Sequence, residues 1–221
     1  MKALIRYTLA NLFVSQRFVA PTFLYLALLA VLTSNDSGPL VGVYAATAGS
    51  LLAAAVWIAV AVANAEDPAA RWVALANARR TSDVTAATAV AALLYEAALG
   101  IVGLLYPLVS GHHTVSASAL GIGAAAELTC AAVGTGLGLL CARPVIVRTG
   151  VSTLTGIALV LSVLLIKELP PVSPMLRRMT GGSSVRAAVP NALPFLGFAI
   201  LGVAALYGCG VVAHRLGRRR D

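Results

Sequence analysis

Long apolar runs, set apart by connections that carry the arginines, constrain this chain more than any other feature. A helix needs about 20 apolar residues to cross a bilayer. Six stretches reach or approach that length: residues 18–33, 40–63, 84–107, 117–141, 145–166 and 192–213. The first is short and carries Pro21 near its start. Strict alternation of polar and apolar residues is absent, which argues against a transmembrane β-barrel. Composition points the same way: 59% of residues are apolar and 11% charged, against roughly 45–50% and about 25% in a soluble domain. A soluble fold could not hide that much apolar surface, and disorder is excluded by the same figures. Cys130, Cys141 and Cys209 all lie in apolar stretches, so a disulfide scaffold is excluded too. The expected fold is an all-α integral membrane protein, with residues 1–221 forming a single transmembrane domain.

The net charge of +8 does not indicate nucleic acid, because the cations fall between apolar runs. Lys2, Arg6, Arg17, Arg71, Arg79, Arg80, Arg143, Arg148, Arg215, Arg218, Arg219 and Arg220 fall on one side of the six-span layout. Lys167, Arg177, Arg178 and Arg186 fall on the other. That asymmetry predicts both termini in the cytoplasm. The N-terminus is read as an uncleaved first span, since its cations extend to Arg17 and no small-x-small site follows before Asn35. Ahead of that span, Ile5, Leu9, Leu12 and Phe13 recur at helical spacing, with Thr8, Asn11 and Ser15 opposite. The pattern suits a helix lying in the membrane surface, its cations reaching lipid phosphates. The plainer alternative is a basic lead-in to the span.

Two connections stand out. Between spans two and three, Asp67 and Pro68 form a helix start, and Arg79 and Arg80 suit its end. Trp72, Leu75, Ala76 and Arg79 share one face of this helix, while Arg71 lies round from Arg79. Ser82 or Asp83 would then cap the third span. The short amphipathic helix is either a docking piece or a solvated loop helix. Between spans five and six, prolines and Gly181-Gly182 divide the connection into two short helical pieces, around 175–179 and 184–189. Neither can span; they either dip back over a cavity or form a plain outer loop.

Glu96 and Glu127 sit inside spans three and four. Charge at that depth is costly, so such residues face a bundle interior or a wet cavity. The spans are antiparallel neighbours, and the two carboxylates are expected at similar depth. They read equally as a proton pathway or as acids hydrogen-bonded between helices. Gly134 and Gly138 form a G-x-x-x-G pair that permits close helix contact. No P-loop, H-E-x-x-H or C-x-x-C is present, so no cofactor or metal site is expected in this chain and enzymatic activity is not. Ser110-Gly111-His112 matches part of a phosphatidate phosphatase motif, but the companion motifs are missing. His112-His113 reads as a polar turn.

The layout resembles the transmembrane (permease) subunit of ABC-2 type transporters. That family has a surface-lying N-terminal helix, six spans with both ends inside, a coupling helix between spans two and three, and short outer helices between spans five and six. The counterparts here are residues 1–17, the six spans, 68–80 and 174–189. The family's Glu-Arg and Gly-Thr pattern is not kept, since Glu66 is followed by Asp67. The resemblance implies an exporter of a small hydrophobic or amphipathic molecule in a bacterial plasma membrane. It implies a separate ATP-binding cassette subunit, holding ATP and Mg, that docks on Arg71, Trp72, Leu75, Arg79 and Arg80. It also implies a second permease chain, identical or related, completing the pathway. Two other classes stay open: a proton-coupled secondary transporter built on Glu96 and Glu127, and a non-transporting immunity or assembly protein. Against the secondary transporter, the two halves show no clear internal repeat.

Overall fold

The computed structural model describes residues 1–34, 39–66, 70, 81–110, 115–143, 145–146, 149–166, 170–180 and 193–217. Every regular element among them is an α-helix. These are α1 (Lys2–Ser15), α2 (Val19–Thr33), α3 (Leu40–Ala63), α4 (Thr81–Ser110), α5 (Ala117–Cys141), α6 (Thr149–Leu165), α7 (Val172–Thr180) and α8 (Leu193–Gly217). α3, α4, α5 and α8 are long and apolar enough to cross a membrane. The protein is an all-α, multi-pass membrane protein. Its outer surface is apolar: Leu154, Leu193, Ile200 and Tyr207 are all exposed.

The expected span count needs qualification. α2 and α6 have 15 and 17 residues. At 1.5 Å per residue they reach about 22 and 26 Å, short of the ~30 Å hydrocarbon core. The described residues therefore hold four span candidates, or five if α1 and α2 count as one broken span. α1 ends where Gln16 takes a left-handed backbone conformation (φ 55°) and its N–H returns to the Phe13 carbonyl. α2 leaves α1 at 79°.

The helix ends follow local chemistry. Ser116 accepts the Ala119 N–H at 3.2 Å and caps α5. α4 starts at Thr81, so Ser82 and Asp83 lie in its first turn rather than before it. Asp83 there complements the helix dipole. α4 also runs past its expected end at Pro107 to Ser110. The Arg17 guanidinium donates to the Asn64 carbonyl beyond α3, a cation at a helix C-terminus.

α3 and α5 form the centre and run parallel. A Cβ on Gly134 would stand 2.5 Å from Ala55 Cβ, and one on Gly138 would stand 2.5 Å from Ala59 Cβ. One turn separates the members of each pair, so a single register joins the helices. On the other face of α5, a Cβ on Gly136 would lie 3.2 Å from Leu206 Cα, bringing α8 close. α6 crosses beside α3, with Gly156 facing Val56, and begins where the Ser152 hydroxyl donates to the Cys141 carbonyl at 2.6 Å. α7 covers the first half of α3 with Val172, Met175 and Met179. It covers the residues of the first expected short helical piece, near 175–179, and Arg178 lies 5.3 Å from the Phe198 ring centre. The second piece, 184–189, lies outside the described residues.

α1 docks differently from the expected pattern. Leu12 is fully buried and Phe13 meets Phe18 and Tyr95 edge to face. Thr8 and Asn11, expected opposite the apolar face, instead line a cavity of about 10 Å³ with Val62, Glu66, Val84 and Thr88. That is room for about one water. α1 thus packs across the end of α3 and the start of α4, using polar as well as apolar side chains.

Candidate functional site

Glu96 lies on α4 and is fully buried; Glu127 lies on α5 and is 4% exposed. Both face protein, as their cost in lipid requires. They do not share a level. Gly100 lies opposite Glu127, with its would-be Cβ 3.6 Å from Glu127 Cβ. Glu96 is four residues, or about 6 Å, further back along α4. The carboxyl groups also turn apart. Glu96 Oε2 accepts from Thr135 Oγ1 at 2.6 Å, whereas Glu127 Oε1 lies over Gly103, 2.9 Å from where its Cβ would stand. The cause is geometric. Cα–Cβ bonds tilt toward a helix's N-terminus, so on antiparallel helices two long side chains lean in opposite directions. The expectation of similar depth is corrected accordingly.

The two environments differ. Glu96 has one strong bond, and its Oε1 has no hydrogen-bond partner among the described residues. Neither oxygen of Glu127 has one. Thr47 approaches it from α3, but its hydroxyl donates to the Tyr44 carbonyl at 3.1 Å. Tyr25 of α2 brings its hydroxyl over the same Gly103, again with no partner among the described residues. Pro107 has no N–H to offer the Gly103 carbonyl four residues earlier, so that carbonyl lacks its helical donor. Tyr44 closes the side toward α5, donating from its hydroxyl to the Leu104 carbonyl at 3.2 Å, while its ring fills the notch over Gly123.

A phenol and a carboxyl with open hydrogen-bonding capacity therefore meet over one glycine, inside a largely apolar bundle. Buried polar atoms left open are costly, and their survival marks a site or a water position. A carboxyl placed so can take up or release a proton toward the phenol beside it. Among the described residues no three His, Cys, Asp or Glu side chains gather as metal ligands.

Sequence reasoning found the two glutamates but missed Tyr25, Gly103 and Thr135. The available signal was Gly103 standing four residues before Pro107 in a span, which frees a backbone carbonyl at membrane depth. Arg71, Trp72, Leu75, Arg79 and Arg80 lie outside the described residues, as do His112 and His113. No protein-family model, curated protein or solved structure matches the chain.

Proposed function

We propose that the chain is the permease subunit of an ABC-2 type exporter, working with a separate ATPase that binds ATP and Mg. Two such chains form the pathway for a small hydrophobic or amphipathic molecule. The supporting observation is where α1 docks. It leaves α2 at 79° and lies against Val62, Glu66, Val84 and Thr88, the helix ends that bracket residues 67–80. A push on that connection would reach α1, α3 and α4 together. Helix direction adds support for six passes, with α2 and α6 as short spans. α2 parallels α4 through Thr22–Tyr95 (2.7 Å) and Tyr25 over Gly103, while α3, α5 and α8 run the other way. That arrangement gathers Lys2, Arg6, Arg17, Arg143 and Arg215 at one end, the cytoplasmic end by the positive-inside rule.

Purification of the tagged chain from its native membrane tests the reading, with partners identified by mass spectrometry. An ATPase bearing a P-loop should accompany it in stoichiometric amount. Trp72→Ala, or Arg79→Ala with Arg80→Ala, should leave normal amounts of protein in the membrane. Association with the ATPase should weaken about 30-fold, the loss of ~2 kcal/mol at an interface hot spot. Full association and transport in these variants would reduce the connection to a solvated linker. The absence of any ATPase partner would sink the family reading.

The open Tyr25–Glu127 spot favours a second reading, proton-coupled transport. Glu127→Gln decides between them. Under the exporter reading it leaves basal ATPase activity of the complex intact; under the second it abolishes dependence on a proton gradient.

A further inference from the structure

We infer that the groove between α4 and α8 is a binding site for one anionic phospholipid. The groove encloses about 510 Å³. Its walls are apolar, with Val90 and Leu93 on α4, Val203 and Leu206 on α8, and Leu139 of α5 at its floor. Only one end is polar, where Ser82 and Thr85 face His214 and Arg215. Charge complementarity selects the occupant. A cation above a greasy slot matches the phosphate of a phospholipid, and an anionic headgroup is preferred over a zwitterionic one, whose own ammonium offsets the phosphate charge that Arg215 would meet.

Length agrees. The lining runs from Ser82 to Leu93 on α4, twelve residues that rise about 16 Å. That is about half of a ~30 Å hydrocarbon core, the depth of one leaflet. The slot is also unfilled: a Cβ on Gly210, within the lining, would meet nothing within 4 Å. Arg215 is exposed and sits in the last turn of α8, so it can turn to a headgroup while its stem covers the slot. This site does not depend on the transport reading, and it lies apart from the Tyr25–Glu127 spot.

The test uses the full chain in nanodiscs holding equal amounts of phosphatidylglycerol and phosphatidylcholine, with retained lipid counted by native mass spectrometry. The wild-type chain should keep one phosphatidylglycerol in preference. Arg215→Ala, and more so with His214→Ala, should cut the phosphatidylglycerol preference about fivefold, the worth of one cation at a lipid surface. Gly210→Leu should fill the slot and lower retention of both lipids. Gly208→Leu has equally open surroundings but lies outside the groove, and should retain lipid like wild type. Unchanged retention in Gly210→Leu, or an unchanged preference in Arg215→Ala, would overturn the assignment. So would efficient cross-linking of Tyr207→Cys between two chains in native membranes, which would give the groove to a second copy.

Discussion

The α3–α5 seam and the open flank of α8 each carry a pair of glycines, yet glycine does opposite things in them. Along the seam, a methyl on Gly134 or Gly138 would strike Ala55, Ala59 or the Val56 carbonyl, so the missing side chain is what lets two backbones touch. On the flank, Gly208 and Gly210 have nothing within 4 Å. The first region buries most of both helices; the second leaves α8 the least buried of the four long spans. A small residue in a membrane helix therefore marks either a contact already made or a space left open. Only the facing element tells which.

The largest expected effect comes from forcing the seam apart. Gly138→Leu should cost ~3 kcal/mol or more by overpacking, leaving little monodisperse protein in detergent on size-exclusion chromatography. The alanine variants sharpen the point through rescue. Gly134→Ala should lose about 1–3 kcal/mol in thermal unfolding and be largely restored by Ala55→Gly, since its next contacts lie at 3.1 Å and beyond. Gly138→Ala should not be restored by Ala59→Gly, because the Val56 carbonyl remains 2.7 Å away. Equal rescue at both positions would mean that the Val56 carbonyl yields as readily as its neighbours and the seam is loose.

A middle-sized effect is expected over Gly103. Gly103→Ala would drive a methyl into the Tyr25 hydroxyl and crowd Glu127 Oε1, lowering stability by about 1–2 kcal/mol. Tyr25→Phe removes the struck oxygen and should recover most of that loss. Failure of this suppression in a thermal melt would separate Tyr25 from the polar spot.

Smaller still is the Glu96 bond. Thr135→Val should cost about 0.6 kcal/mol, the average for a hydrogen bond between membrane helices, and at most ~1.7 kcal/mol. Glu127→Gln keeps the shape of the side chain and an oxygen that can still accept from Thr47 or Tyr25, and should leave the melting temperature within about 1–2 °C of wild type. Similar losses at both positions would show that Glu127 has a partner of its own. Gly208→Leu, on the open flank, should change stability by less than ~0.5 kcal/mol; a loss matching a seam variant would erase the contrast between the two regions.

Much of this was legible in the residues. The apolar runs marked every long helix to within a few residues, because bilayer thickness imposes a length that composition can meet or miss. Gly134-x-x-x-Gly138 marked a close contact, since a small-residue pair at helical spacing has little other use in an apolar span. Glu96 and Glu127 were marked as inward-facing by the cost of charge in lipid. In α1, Leu12 packs into the bundle, and Thr8 and Asn11 face protein as well. The buried carboxylate Oε1 of Glu66 and the helix ends beside it give those polar side chains a protein surface to face, which no local periodicity records.

What the chain's sequence determined by itself is the class of molecule: helices of membrane length, a lipid-facing exterior, and two carboxyl groups that must turn inward. These follow from transfer energies and helix pitch, which act on each segment separately. What only the tertiary structure decided is which partner each inward residue meets. Glu96 and Glu127 diverge because antiparallel neighbours tilt their side chains oppositely. Tyr25 reaches Glu127 because Gly103 has no side chain to stop it. The glycines of the seam and of the flank differ because a helix stands against one set and lipid space against the other. Partner identity depends on how separate segments are arranged in three dimensions, and no single segment carries that information.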